Sequence, residues 1–243
     1  MKVGCVIPAR YGSTRLPGKP LANIAGKPMI QRVYEQVSKA SKPSICIVAT
    51  DDTRVYDVVT SFGGTVVMTS ADHPTGTDRL AEVAAQYKDI DLIINVQGDE
   101  PMIEPTLIDE LATLFEEDTT LQMATVATPL LEDEYEEPSS VKVVLNKRND
   151  AMYFSRSLIP YPRHDFVNAP LKHIGIYAYK RQFLLDYAKM KATAAEQTES
   201  LEQLRALENG YTIRVIVTDK RFVGVDTPED LARVNAIFEQ KEK

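Results

Sequence analysis

Apolar positions along the chain fall into short blocks that alternate between two periods. Val3-Gly4-Cys5-Val6-Ile7 has no polar face, as in a strand buried on both sides. Pro28–Lys39 carries Met29, Ile30, Val33, Tyr34 and Val37 at helical spacing, with Pro28 suited to the first helical position. Ser44–Ala49 reads as a second buried strand, and Thr50-Asp51-Asp52 can cap a helix running to about Ser61. Gly63-Gly64 turns into a strand over Thr65–Met68. A helix over Asp78–Tyr87, capped by Thr77, leads to a strand over Asp91–Val96. This regular β-α-β-α alternation predicts an α/β fold with a mostly parallel central sheet and helices on both faces.

The second half is less regular. Met123–Ala127, Val141–Leu145 and Ala151–Phe154 read as strands of a smaller mixed β layer, with an acidic surface segment over Glu132–Glu137 among them. Lys172–Tyr179 follows as a strand, and two helices frame a last strand over Thr212–Val217. In the stretch Glu196–Asn209, Leu201, Leu204 and Leu207 make one apolar stripe of a helix, opposite Glu199, Glu202 and Gln203. No repeat, low-complexity tract or linker interrupts the chain. The simplest organisation is one domain over residues 1–243 with an inserted β subregion at about 123–180.

Composition narrows the function. With 243 residues and 44% hydrophobic content the chain can bury a real core, and a net charge of −7 offers no basic field for nucleic acid or an anionic membrane. No apolar run approaches the roughly 18 residues of a membrane span, and no signal-peptide pattern precedes the first strand. The two cysteines, Cys5 and Cys46, sit in apolar strand-like runs, which suits reduced thiols and a cytoplasmic protein.

Candidate chemistry lies where strands end. The first strand runs into Arg10-Tyr11-Gly12-Ser13-Thr14-Arg15-Leu16-Pro17-Gly18-Lys19, where three cations and two glycines stand at the carboxyl end of a parallel strand, the usual place for a ligand. A triphosphate is the expected guest of Arg10, Arg15 and Lys19, with a solvated surface loop as the competing reading. The loop is not a P-loop, since five residues separate Gly12 from Gly18 and Pro20 replaces the magnesium-binding hydroxyl. The dinucleotide fingerprint is also absent.

Asp99, in Gln97-Gly98-Asp99-Glu100-Pro101, follows another strand and is placed to offer Mg²⁺ one carboxylate. Asp226 is the second candidate, because capping accounts for Thr227, Pro228 and Asp230 but leaves Asp226 spare at what reads as a strand end. Each equally suits an ordinary loop acid. Thr75 and Gly76 open a helix whose free N–H groups could read a base or ribose, although capping alone also explains them. His73 reads as an exposed loop residue. Arg156, just beyond a strand, suits a carboxylate-bearing substrate, and His173 and Tyr177 share parity on theirs.

Together these segments resemble the 3-deoxy-manno-octulosonate cytidylyltransferases, the CMP-Kdo synthetases of lipopolysaccharide biosynthesis. The resemblance runs through Ile7-Pro8-Ala9-Arg10, Ser13–Leu21, Gly76-Thr77-Asp78-Arg79, Asn95–Pro101, Tyr153–Ser157, His173–Tyr177, Leu201–Arg205 and Val225–Asp230. It implies a Rossmann-like nucleotide-diphospho-sugar transferase fold, CTP and Kdo as substrates, Mg²⁺ as cofactor, a homodimer, and CMP-Kdo and pyrophosphate as products. By position it implies that Ala9, Arg10, Ser13, Arg15, Lys19, Thr75, Gly76 and Asp99 bind the nucleotide. Asp99 and Asp226 would bind the metal, and Gln97, Arg156, His173, Tyr177, Glu202 and Gln203 the sugar acid. Arg15, Lys19, Asp99 and Asp226 would form the catalytic set. The family usually has serine where this chain has Thr75, which keeps the hydroxyl. The alternatives are transfer to another acidic sugar, such as 8-amino-Kdo or a sialic acid, or nucleotide binding without catalysis.

Overall fold

A computed structural model describes residues 1–12, 16–220 and 222–241. They form two compact units, residues 1–113 with 222–243 and residues 114–221. The second unit is wider than the β insertion expected at about 123–180.

In the first unit β1 (Val3–Ala9) is followed by a hairpin of β2 (Asn23–Ile24) and β3 (Lys27–Pro28), then α1 (Met29–Val37), β4 (Pro43–Thr50), α2 (Thr53–Ser61), β5 (Thr65–Met68), α3 (Gly76–Gln86) and β6 (Leu92–Asn95). The main strands pair in parallel in the order β6-β1-β4-β5. β1 is central and almost wholly buried, as its unbroken apolar run requires. Its carboxyl end and that of β6 lie side by side, which is why both candidate loops open at one edge of the sheet.

The helix ends follow local chemistry. Asp52 caps α2 through the Arg54 N–H at 2.9 Å. Pro28 is the residue before α1 rather than its first residue, held extended at ψ 144° by its pairing with Asn23. Thr75, not Thr77, caps α3. Its hydroxyl accepts from the Asp78 N–H at 3.2 Å while the Asp78 carboxylate accepts from the Thr75 N–H at 3.1 Å.

Two further helices complete the elements around this sheet. α4 (Pro105–Glu117) adds to the expected set, with Leu107, Ile108, Leu111 and Ala112 buried along one stripe. The last helix, α8 (Pro228–Lys241), begins at the Thr227 box as anticipated: the Asp230 carboxylate accepts from the Thr227 N–H at 3.1 Å. Asn235 on α8 accepts from the Ala25 N–H at 2.6 Å, and Arg32 on α1 donates to Ile24 O at 3.0 Å, so the small hairpin is tied to two helices.

The second unit contains β7 (Met123–Pro129), β8 (Lys142–Leu145), β9 (Ala151–Ser155), β10 (Leu171–Lys180), α5 (Arg181–Tyr187), α6 (Ala194–Glu199), α7 (Leu204–Glu208) and β11 (Ile213–Val217). Its sheet is mixed: β11 runs parallel to β7, whereas β10 is antiparallel to both β7 and β8, and β9 antiparallel to β8. β10 bulges between Ile174 and Tyr177. The buried Thr125 hydroxyl lies against the bulge, 2.7 Å from Ile176 O and 3.2 Å from Ile174 O. The single helix expected over Glu196–Asn209 is broken. Ser200 adopts a left-handed conformation at φ 53°, and a turn through Gln203 separates α6 from α7. Leu201 and Leu204 are buried as expected, while Leu207 is only half-buried.

Candidate active site

A cleft of about 390 Å³ in the first unit is lined by Ala9, Arg10, Lys19, Gly76, Gln97, Asp99 and Asp226, among others. These residues come from four separate segments of the chain, at or near the ends of β1, β6, α3 and α8. Asp99 follows β6 through Gly98, where an added Cβ would stand 2.8 Å from Pro8 O, so only glycine lets the two strand-end backbones pass this closely. The Asp99 carbonyl accepts from the Val225 N–H at 2.9 Å, which brings the loop before α8 alongside. The Asp230 carboxylate also accepts from the Asp226 N–H at 3.2 Å, so the α8 cap fixes Asp226 as well. Asp226 therefore projects from a capped loop rather than from a strand end.

The outcome is a convergence that local sequence does not contain. Lys19 Nζ donates to Asp99 Oδ2 at 2.6 Å and to Asp226 Oδ1 at 2.7 Å, so the two oxygens lie within the span of two hydrogen bonds. Burial opposes the charge on Lys19, but the two carboxylates outweigh it and hold its pKa above the ordinary lysine value. Among the described residues there is no cluster of three or more His, Cys, Asp or Glu able to cage a metal. A pair of carboxylates around a cationic centre is instead what Mg²⁺ asks of a protein when substrate phosphates and water supply its other ligands.

The opening turn is braced by a residue that spacing did not single out. Gly18 has φ 67°, its N–H donates to Tyr11 O at 3.3 Å, and a Cβ there would meet Tyr11 Oη at 3.0 Å. The Arg54 guanidinium stacks 3.4 Å above the Tyr11 ring and forks onto Asp52. Gly18→Ala is expected to cost about 1–2 kcal/mol in a urea unfolding curve, from the left-handed backbone alone. An unchanged midpoint would mean that the turn is not held in this conformation.

Arg10 donates to His73 O at 2.8 Å, while His73 is half-buried with its ring 2.5 Å from Glu82, so it is a tethered residue rather than an exposed one. The Thr75 hydroxyl is engaged with Asp78, at 2.7 Å as donor, and serves the cap. Ser13 and Arg15 lie outside the described residues.

In the second unit His173, Tyr177 and Glu202 come together. The His173 and Tyr177 rings are 5.3 Å apart, and Phe154 meets His173 edge-on at 5.0 Å. Burial pushes the Tyr177 hydroxyl pKa up, with the Glu202 charge adding to it, and desolvation holds His173 down at about 3. His173 is thus neutral, and Nε2 lies 3.0 Å from the Thr125 hydroxyl.

Arg156 donates through Nε to Glu199 O at 2.7 Å, through Nη1 to Pro138 O at 3.0 Å and through Nη2 to Ser200 O at 3.2 Å. Three of its five donors thus hold backbone rather than stand free for a substrate. Gln203 is buried in the turn before α7 and is not on an exposed polar helix face.

Residues 4–216 match the family model described as cytidylyltransferase. A 3-deoxy-manno-octulosonate cytidylyltransferase of Syntrophotalea carbinolica is 54% identical, with 97% of this chain and 98% of the relative covered. The chain belongs to the 3-deoxy-manno-octulosonate cytidylyltransferase family. A second member, from Fusobacterium nucleatum, is 52% identical over 96% of each chain. The solved structure of a CMP:2-keto-3-deoxy-manno-octonic acid synthetase complexed with CTP superposes with a TM-score of 0.96 at 49% identity, covering 99% of this chain and all of that one. The family's α/β fold therefore extends over the whole chain, with the parallel sheet and its helices in the first unit and the mixed sheet in the second.

Proposed function

We propose that the protein couples CTP to 3-deoxy-D-manno-octulosonate, yielding CMP-Kdo and pyrophosphate for lipopolysaccharide biosynthesis. The carrying observation is the convergence of Asp99 and Asp226 on one cationic centre, in a cleft also lined by Arg10 and Gly12. Family membership supplies the substrate pair.

In this reading the anomeric oxygen of the sugar acid bonds to the α-phosphorus of CTP. The bond from that phosphorus to the β-phosphate bridging oxygen breaks, pyrophosphate departs and the hydroxyl proton passes to solvent. No side chain acts as nucleophile, so the protein's work is positioning and neutralisation of charge. Arg10, Arg15 and Lys19 would bind the triphosphate, and Ser13 is a further nucleotide-binding residue of this reading. Ala9, Thr75 and Gly76 border the base, with Thr75 acting through the α3 cap. Asp99 and Asp226 would hold Mg²⁺, which when bound supplies Lewis-acid polarisation of phosphate and hydroxyl oxygens. Gln97, Arg156, His173, Tyr177, Glu202 and Gln203 serve the sugar acid, with His173 present as the neutral imidazole.

Two wider features belong to the same reading. Tyr161 and Val167 are 84% and 96% exposed on the second unit, apolar surface that a second copy would cover in a homodimer. Cys5 and Cys46 are buried free thiols on paired strands, and among the described residues no helix is long and apolar enough to cross a membrane; both suit a cytoplasmic enzyme.

Pyrophosphate release with each of the four nucleoside triphosphates against Kdo, 8-amino-Kdo and sialic acid tests the proposal. Turnover is expected with CTP and Kdo, and absence of turnover with that pair overturns it. Arg156→Ala is expected to raise KM for Kdo roughly 10- to 100-fold, the worth of one or two charged hydrogen bonds, with KM for CTP little changed. Equal effects on both substrates would remove Arg156 from the sugar site.

A further inference from the structure

Lys19 has two claims on it. As a phosphate-gripping cation it belongs to the triphosphate, yet its ammonium donates to both carboxylates assigned above to the metal, at 2.6 and 2.7 Å. Its side chain is 15% exposed, against 30% for Asp99 and 45% for Asp226, so the ammonium is the most enclosed of the three groups. The oxygens that a divalent cation needs are those that Lys19 holds.

We propose that Lys19 and the divalent cation are mutually exclusive occupants of the Asp99–Asp226 pair, with Lys19 as the resident counter-cation until nucleotide draws it away. This rests on the reading of that pair as the metal site. The exchange is mechanically cheap. Lysine carries a compact charge on a flexible four-carbon stem, so rotation about its own torsions re-aims it without backbone motion. The cleft beside it continues past Gly12, Arg10 and Gly76, which leaves room for the ammonium to follow a triphosphate. Its backbone is meanwhile held fixed, by the Lys19 N–H to Leu16 O at 3.1 Å and by Pro20 next in the short helical turn Lys19–Leu21.

The consequence is an order of events. A metal alone meets an occupied pair and binds weakly. Nucleotide phosphates take Lys19, the oxygens are released, and nucleotide and metal then favour each other through a coupling that is reciprocal by linkage. The same exchange keeps two carboxylates from facing one another without a cation, because a charge of one kind or another always stands between them.

Mn²⁺ binding followed by electron paramagnetic resonance on nucleotide-free protein tests this. Lys19→Met is expected to bind Mn²⁺ about tenfold more tightly than the unaltered protein, the loss of one charged competitor, while its turnover falls. Equal or weaker Mn²⁺ binding by the variant overturns the inference.

A second measurement uses the unaltered chain. Labelling of Lys19 by acetic anhydride, read by peptide mass spectrometry, is expected to accelerate as Mn²⁺ is added without nucleotide, and not to do so in Asp99→Asn. A labelling rate indifferent to Mn²⁺ overturns the inference even if Lys19→Met does not fold. If the unaltered protein binds no Mn²⁺ even with CTP present, the metal reading itself fails and takes this inference with it. If it binds Mn²⁺ with CTP while Lys19→Met gains nothing, only the exchange fails.

Discussion

Replacing Asp99 with Asn is expected to lower pyrophosphate release from CTP and Kdo by about 10²–10³-fold, the usual cost of removing one preorganised charge-stabilising group. The substitution keeps shape and removes charge. It leaves Lys19 with a single carboxylate, Asp226, and halves the charge offered to a divalent cation. The main-chain link from Val225 N–H to Asp99 O does not depend on the side chain, so the two loops stay together and the fold is expected to persist. The decisive comparison is turnover against thermal unfolding. A collapse of kcat with an unchanged melting temperature fits the assignment, and near-normal turnover refutes it.

Glu196→Ala is expected to have the largest effect on stability. Arg205 Nε donates to Glu196 Oε2 at 2.8 Å and Nη2 to Oε1 at 2.5 Å, a fork-on-fork pair whose side chains are 9% and 11% exposed. Removing the carboxylate leaves the buried guanidinium facing Glu202 at 3.9 Å, beyond hydrogen-bond distance, and breaking a buried pair typically costs about 3–5 kcal/mol. For a chain of this length that corresponds to a melting temperature lower by on the order of 10 °C. A loss within experimental error would show that water reaches Arg205 freely.

The pair also sets a pH dependence. Burial raises the Glu196 pKa, but Arg205 and the Thr193 N–H more than offset it and leave the folded carboxyl below its ordinary 4.5. A group depressed in the folded state contributes its full stability above the unfolded value and loses it as pH falls through the folded one. The stability gap between the unaltered protein and Glu196→Gln should therefore be constant from neutrality down to about pH 5 and shrink below 4.5. A gap that widens in acid would reverse the assignment.

The same pair shows why part of the second unit was illegible. Leu201, Leu204 and Leu207 repeat at helical spacing and predict one helix, yet nine residues make two and a half helical turns, which would place Glu196 and Arg205 on opposite faces. Breaking the helix at Ser200 lets them meet, at 2.5 Å between Arg205 Nη2 and Glu196 Oε1. The α3 cap is legible in principle, because Thr75-x-x-Asp78 is a capping box, but Thr77 stands nearer the first apolar residue of the helix and competes for the role. The stripe of α4 was likewise present in Leu107, Ile108, Leu111 and Ala112. The role of Tyr11 was not, since a ring that braces a glycine from seven residues away leaves no periodic trace.

By itself the sequence determined the alternation of elements, because apolar periodicity is a local property that each strand and helix must satisfy to bury a face. It also determined which residue types stand at strand ends, and so the class of guest. Only the tertiary structure decided that Asp99 and Asp226 share one ammonium, that three donors of Arg156 hold backbone carbonyls, and that His173 packs against Tyr177 with Nε2 at the Thr125 hydroxyl. The physical reason is common to all three: each depends on a distance between segments far apart in the chain, and such distances are set by strand order, caps and close backbone passage rather than by the residues' own neighbours.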